Sequence, residues 1–400
     1  MDMKGGGVLK KFLAELKAFF HKGDMVLLLL CLATSAFGIL VVASTTNAEK
    51  FGNNTSQIVI QTLATVLGVG FYAVISSIDA ESMAERRRGL VVFNTFMLLL
   101  LIPFGVVRGG NRSWLNLPLV PFMIQAAEVC KITFIVIMAS VMNAHQNRIS
   151  RPFALGHMGL HLCLFVGLNL ALSRDMGVSL IFVFITIAMA FAGGVSMFWF
   201  GLAGVGIVAA FPVLWKYVLE DYQQNRILVL FDPTIDPQGL DARWHAVRSL
   251  RSLTGGGLTG QGLFNGTRTQ AGALYAQHTD YIFSSIGEEL GFLGCLLVIV
   301  LQLAIVARCV YVGIKTPNYM RRLICFGAAA ALIFQNMINI GMCIGVMPVI
   351  GITLPFISYG GSSIISLYAM LGLVSGVHAR PDNLSHERYI HPPRNTLYYY

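Results

Sequence analysis

His278-Thr279-Asp280 leads straight into an apolar run beginning at Tyr281, which sets an acid at the edge of a segment otherwise almost free of charge. An aspartate placed there can act as a general base, taking a proton from a hydroxyl. It can equally cap a helix, because Thr279 or Asp280 would accept hydrogen bonds from free N–H groups and suit the positive end of the dipole. The residues alone leave both readings open. Glu288 and Glu289 stand about two turns further on and point roughly 100° apart, so at least one must meet another helix or a cavity. A structural polar network is the reading taken for them.

A second group is Arg112 and Trp114, followed by Gln125, Glu128 and Lys131 within an apolar run. A charge in the hydrocarbon layer costs on the order of 3 kcal/mol, so such residues face a partner or a polar cavity. Glu128 and Lys131, three apart, can pair on one helix face. Either they form an ion pair that makes insertion tolerable, or with Gln125 they line a polar site open to the outside. A third group runs from Gln335 to Ser363, where Pro348 and Pro355 interrupt the helix and Ser358-Tyr359-Gly360-Gly361-Ser362-Ser363 opens the next one. Irregular backbone at membrane depth must border protein or a water-filled cavity.

LTGGGLTGQGLFNGT, from Leu253, has glycines enough for a phosphate cradle but no G-K-[ST], and no strand-to-helix context. It reads either as a flexible connector or as an anion-contacting backbone nest. Lone histidines such as His161 read as packed helix residues. The seven cysteines all lie in apolar segments without a C-x-x-C pair, which supports neither a disulfide framework nor a zinc site.

The elements that must position these groups are membrane helices. The chain is 56% hydrophobic and 12% charged over 400 residues, which overrides the expectation of soluble domains. Its net charge of +9 falls in short clusters between apolar runs, not on one basic face, so nucleic acid is not expected as a partner. Apolar runs long enough to span lie near 25–45, 56–78, 89–107, 119–142, 157–173, 177–195, 197–217, 281–312, 321–346 and 357–379. The expectation is an all-α integral membrane protein of about ten transmembrane helices, with one large extracytoplasmic loop, 218–280, between helices 7 and 8. A cytoplasmic segment 1–24 precedes this membrane domain, 25–379, and a cytoplasmic tail 380–400 follows. Placing the N-terminus in the cytoplasm puts Arg86-Arg87-Arg88, Arg148 with Arg151, Lys315 with Arg321-Arg322, and the tail on that side, as the positive-inside rule requires. The sequons at Asn53, Asn111 and Asn265 would matter only in a eukaryotic secretory pathway.

Taken together, RILVLFDPTIDPQG (226–239), GGGLTGQGLFNGT (255–267), HTDYIFSSIGEELGFLG (278–294) and NIGMCIGVMPVIGITLPFISYGGSS (339–363) resemble the SEDS family (shape, elongation, division and sporulation), which includes RodA, FtsW and SpoVE. The match runs from the first span to the last. Weaker pieces are Trp114 with Gln125, Glu128 and Lys131, where the family usually reads Q-P-S-E-x-x-K, and Asp175-x-Gly177, where it reads Q-P-D-x-G. Three departures mark a divergent member. Leu274-Tyr275-Ala276 replaces Leu-Pro-Glu, Ala126-Ala127 replaces Pro-Ser, and Arg268 interrupts Gly-Thr-Gln. GITLPF leans to the division and sporulation branches and the short termini to elongation; the pattern is read as RodA-like.

The resemblance implies an inverting glycosyltransferase that polymerises lipid II into glycan strands at the outer face of the bacterial cell membrane. Its implied partners are lipid II and the growing strand, membrane lipids, and a class B penicillin-binding protein that crosslinks the product. Asp280 matches the family's essential acid. His278, Thr279, Ser358, Tyr359 and Ser362 become substrate-site candidates with Trp114, Gln125 and Glu128. Arg112, Lys131 and Arg248 are the cations expected to meet the leaving pyrophosphate. A divalent cation, Mg or Mn, could share that task, although no ligand cluster in the sequence demands one. The alternatives carried forward are a lipid II flippase and a catalytically degenerate scaffold for the penicillin-binding protein.

Overall fold

The computed structural model describes residues 22–47, 55–108, 111–116, 123–217, 219–236, 243–274 and 276–380. The expected N-terminal segment up to residue 21, the tail from 381, Asn53 and Tyr275 lie outside the described residues. Among the described residues nine helices are long and apolar enough to cross a membrane: α1 (Met25–Thr46), α2 (Thr55–Ser77), the broken helix Arg87–Phe104, α6 (Ala126–Ala144), α7 (Pro152–Ser173), α9 (Met197–Tyr217), α13 (Ile282–Lys315), α14 (Tyr319–Cys343) and α15 (Gly361–Ala379). Between α7 and α9 stands α8 (Met176–Ala192), a tenth apolar helix of 17 residues. The protein is therefore an all-α multi-pass membrane protein, with short α3 (Ala80–Glu85) leading into the third span.

That third span divides into α4 (Arg87–Leu99) and α5 (Leu101–Phe104), because Pro103 has no N–H to return to the Leu99 carbonyl. It then turns into a small antiparallel sheet, β1 (Gly105–Arg108), β2 (Asn111–Leu115) and β3 (Ile124–Gln125), with Trp114 opposite Val106 on one side and Gln125 on the other. The fourth helix accordingly begins at Ala126, seven residues later than the apolar run suggests. The buried centre is built from α6, α14 and α15, and α15 packs along α2. By contrast, α9 buries none of its described residues.

The region 218–280 is not a plain loop. It carries α10 (Asp221–Phe231), α11 (Trp244–Gly255) and the single turn α12 (Thr267–Gln270). Its glycine-rich stretch is not a free connector, because α13 breaks at Gly291 (φ 66°, ψ −162°) and exposes main-chain groups on both sides of the break, to which the stretch bonds. Gln261 N and Gly262 N donate to the carbonyls of Glu288 and Glu289, while Phe292 N and Leu293 N donate to those of Gly257 and Leu258. The glycine segment thus replaces helical bonds that the kink removes, through the N–H groups of Gln261 and Gly262 and the carbonyls of Gly257 and Leu258.

Candidate active site

Three elements converge on residues 278–280. Each successive carbonyl is held by a different donor: Tyr359 N bonds His278 O at 2.9 Å, Ser358 Oγ bonds Thr279 O at 2.6 Å, and Asn339 Nδ2 bonds Asp280 O at 2.9 Å. Asn339 also donates to Ile352 O at 2.7 Å, so it ties α14 to the interrupted segment before α15 as well as to Asp280. Gln61 of α2 completes the brace, donating to Ser358 O and accepting from Gly360 N. The carbonyls are aimed into protein by sequence-remote polar groups, which fixes where the Asp280 side chain emerges.

That side chain is not a helix cap. The N-terminal residue flanking α13 is Tyr281, and no side chain bonds the free N–H groups there. The half-buried carboxylate instead faces Gly351, where an added Cβ would lie 3.6 Å from Oδ2. Gly351 has φ +73°, so glycine both permits the turn and leaves room in front of the acid. Burial pushes the Asp280 carboxyl up to about 6; a hydrogen bond from Thr279 opposes that shift, and the charge of Asp175 adds to it.

Asp175 is the second acid of the site. It caps α8 through Val178 N at 3.1 Å, and its other oxygen accepts from Ser113 Oγ at 2.9 Å and from Gln125 Nε2 at 3.5 Å. Burial raises its pKa, against the hydrogen bonds from Val178 and Ser113. Gln125 N donates to Ser362 Oγ at 3.3 Å, which joins this group to the start of α15. One turn into α6, Glu128 and Lys131 form a buried ion pair at 2.7 Å, and Lys131 Nζ reaches Gln335 Oε1 at 3.4 Å. The two readings of that pair merge: it is an intrahelical ion pair, and it adjoins the polar wall made by Gln125, Asp175 and Ser362.

Two expected cations do not join this wall. Arg112 is exposed, and its guanidinium bonds Gly105 O at 3.1 Å and Ile102 O at 2.7 Å, satisfying carbonyls left free where α5 ends. Arg248 bonds Ala273 O at 2.8 Å and lies 4.2 Å over the Trp244 ring, framing the turn before His278. A cation not singled out from sequence stands near Tyr281. Arg226 of α10 bonds Val349 O at 3.1 Å, and its charge acts on Tyr281 and on His245, whose ring stacks on Tyr281 at 5.5 Å. Asn339, Gln61, Ser113 and Asp175 were likewise missed as site residues. Gln61 and Ser113 were marked only as polar residues inside or beside an apolar run, whereas Asp175 and Asn339 lie in stretches that carry the family resemblance.

Glu288 and Glu289 are spent on structure. Glu288 accepts from Arg268 N, Thr269 N and Thr269 Oγ1 at 2.7–3.0 Å and so secures α12. Glu289 accepts from Ser44 Oγ at 2.5 Å and Gln270 Nε2 at 2.8 Å. Among the described residues no group of three or more His, Cys, Asp or Glu is arranged to hold a metal ion.

Residues 24–383 match the FtsW/RodA/SpoVE family model, described as cell cycle protein. The chain is 30% identical over 375 residues to the peptidoglycan glycosyltransferase MrdB of Escherichia coli K12, covering 92% of this chain and 97% of that one. It is 32% identical to a probable peptidoglycan glycosyltransferase FtsW of Trichlorobacter lovleyi, covering 90% and 94%. Among solved structures it is similar to a chain from a study of how a peptidoglycan synthase complex coordinates polymerization and crosslinking (TM-score 0.73, 28% identity, 89% and 97% covered). It is also similar to the rod shape determining protein RodA of Thermus thermophilus (TM-score 0.63, 25% identity, 89% and 96% covered).

Proposed function

The chain belongs to the FtsW/RodA/SpoVE family of cell cycle proteins, and on that premise we propose that it is a peptidoglycan glycosyltransferase polymerising lipid II with Asp280 as general base. The observation that carries this reading is the Asp280 carboxylate itself. It is released from capping, held on a clamped backbone, and raised to about 6. A base with that pKa is largely ionised at neutral pH yet basic enough to accept a proton from a sugar hydroxyl in the transition state. As the acceptor oxygen attacks the anomeric carbon, Asp280 takes its proton and the bond to the lipid pyrophosphate breaks on the opposite side. Configuration inverts. Lys131 and Arg226 are the cations offered to the departing charge.

The site faces outside in this reading. Arg86-Arg87-Arg88, Arg148, Arg151, Lys315, Arg321, Arg322 and Arg380 sit at the helix ends away from Asp280, and this asymmetry supports reading their face as cytoplasmic. A crosslinking penicillin-binding protein is the partner inferred from the likeness to the synthase complex. The test is incubation of purified wild type and Asp280→Asn with lipid II and that partner. Glycan chains from wild type alone are expected. Equal polymer from both removes Asp280 as base, and unaltered lipid appearing on the opposite leaflet would make the protein a transporter.

A further inference from the structure

On the face away from Asp280 there is a second charged feature that takes no part in the transfer assigned to Asp280. Residues 84–89 and Ser140 line an open cavity of about 450 Å³. Arg86, Arg87 and Arg88 contribute to its wall, and among the described residues none of their guanidiniums joins a hydrogen bond or an ion pair. Glu85, also in the wall, is exposed and pairs with none of them. Arg87 is half-buried and stands near His145 at the end of α6, whose imidazole is held below its ordinary pKa by burial and by the Arg87 charge. Three guanidiniums gathered here, one of them half-buried and none ion-paired, call for an anion.

The surroundings say which kind. Arg88, Val92, Phe96 and Leu99 recur at helical spacing along one face of α4, and all four are exposed on the membrane-facing surface. Beside His145, whose ring lies 5.6 Å from that of Phe153, Phe153 is 77% exposed. A guanidinium cluster at the base of an apolar stripe, flanked by an exposed aromatic ring, matches a phosphate group that continues into acyl chains.

We propose that this cavity binds the phosphate of an anionic phospholipid headgroup, with an acyl chain lying along Val92, Phe96 and Leu99. Arg87 provides the planar fork for the phosphate oxygens and Arg88 the boundary with the chain. The site is independent of the reaction assigned to Asp280.

The test is native mass spectrometry of the purified full chain, equilibrated with equal amounts of phosphatidylglycerol and phosphatidylcholine. Retention of phosphatidylglycerol about tenfold above phosphatidylcholine is expected. Arg87→Gln should lose most of that preference. Arg87→Lys keeps the charge and hence the topology but lacks the fork, and it should lose part of it. Lys315→Gln, a charge-matched change on the same side, should lose none. Equal loss in Lys315→Gln would reduce the effect to diffuse attraction and overturn the proposal, as would equal retention of the two lipids. Displacement by millimolar inorganic phosphate would also overturn it, since free phosphate lacks the acyl contacts. If Arg87→Gln does not fold, the Arg87→Lys comparison decides.

Discussion

Asp280 is the residue whose environment makes the sharpest demands. Its carboxyl is raised from 3.8 to about 6, chiefly by burial. As a base it must be ionised, so activity should rise with pH through about 6 and fall close to tenfold per unit below it. A pH–rate profile for polymer formation that stays flat from pH 5 to 8 would remove this assignment. The stability consequence has the opposite sense. A raised acid binds its proton more tightly folded than unfolded, so the native state loses stability as pH climbs from 3.8 to 6, by roughly 3 kcal/mol at most. Asp280→Asn carries no such penalty and should unfold at or above the wild-type temperature at pH 7.5 while making no polymer. Asn339 acts one step back, through the main chain of Asp280 and Ile352. Asn339→Ala leaves two buried carbonyls short of a donor, costing on the order of 1–3 kcal/mol. It should lower kcat with little change in KM for lipid II, because the base shifts while the substrate contacts stay. A rise in KM alone would count against the positioning role.

At the level of elements, the break in α13 and the glycine segment that fills it are one device. A Cβ at Gly260 would lie 2.1 Å from the Glu289 carbonyl oxygen, which is backbone and cannot rotate away. Gly257 has φ +56° but meets nothing within 4 Å. Gly257→Ala should therefore cost only the left-handed penalty of about 1 kcal/mol. Gly260→Ala should cost several times more, since the two segments must part. Thermal unfolding of the two variants in detergent checks the difference, and equal shifts would mean that close packing is not what the glycines provide. This junction also marks the limit of what was legible in sequence. The spans, the helix start just after Asp280 and the Glu128–Lys131 pair follow from hydropathy and spacing. The role of the glycines did not, because it depends on carbonyls that only a kink thirty residues away exposes. The contacts of Arg112 were hidden for a related reason: a cation near the membrane surface is visible in sequence, but the helix-end carbonyls that hold it are not.

Across the whole molecule, the ends of the bundle do different work. Near Asp280 the packing leaves polar groups facing a reaction; at the other end, buried polar groups hold the first and last spans together. Asp24, buried before α1, bonds Arg308 of α13 through both oxygens at 3.1 and 2.8 Å and caps α1 through Leu27 N. Its main chain accepts from Tyr72 Oη of α2 and donates to Ser375 Oγ of α15. One residue thus closes four helices that are up to 351 positions apart in sequence. Asp24→Ala removes the cap and leaves the Arg308 guanidinium without its carboxylate. Because Arg308 is 21% exposed and can reach water, the cost should fall near the low end for a broken buried pair, roughly 3 kcal/mol. Asp24→Asn keeps a capping oxygen and should cost less than the alanine change. Both variants should unfold earlier, yet polymerise lipid II at the wild-type rate per folded molecule below their transitions, since nothing near Asp280 has changed. A loss of rate in folded Asp24→Asn would show instead that the two ends are mechanically coupled, with this closure setting the geometry of the distant acid.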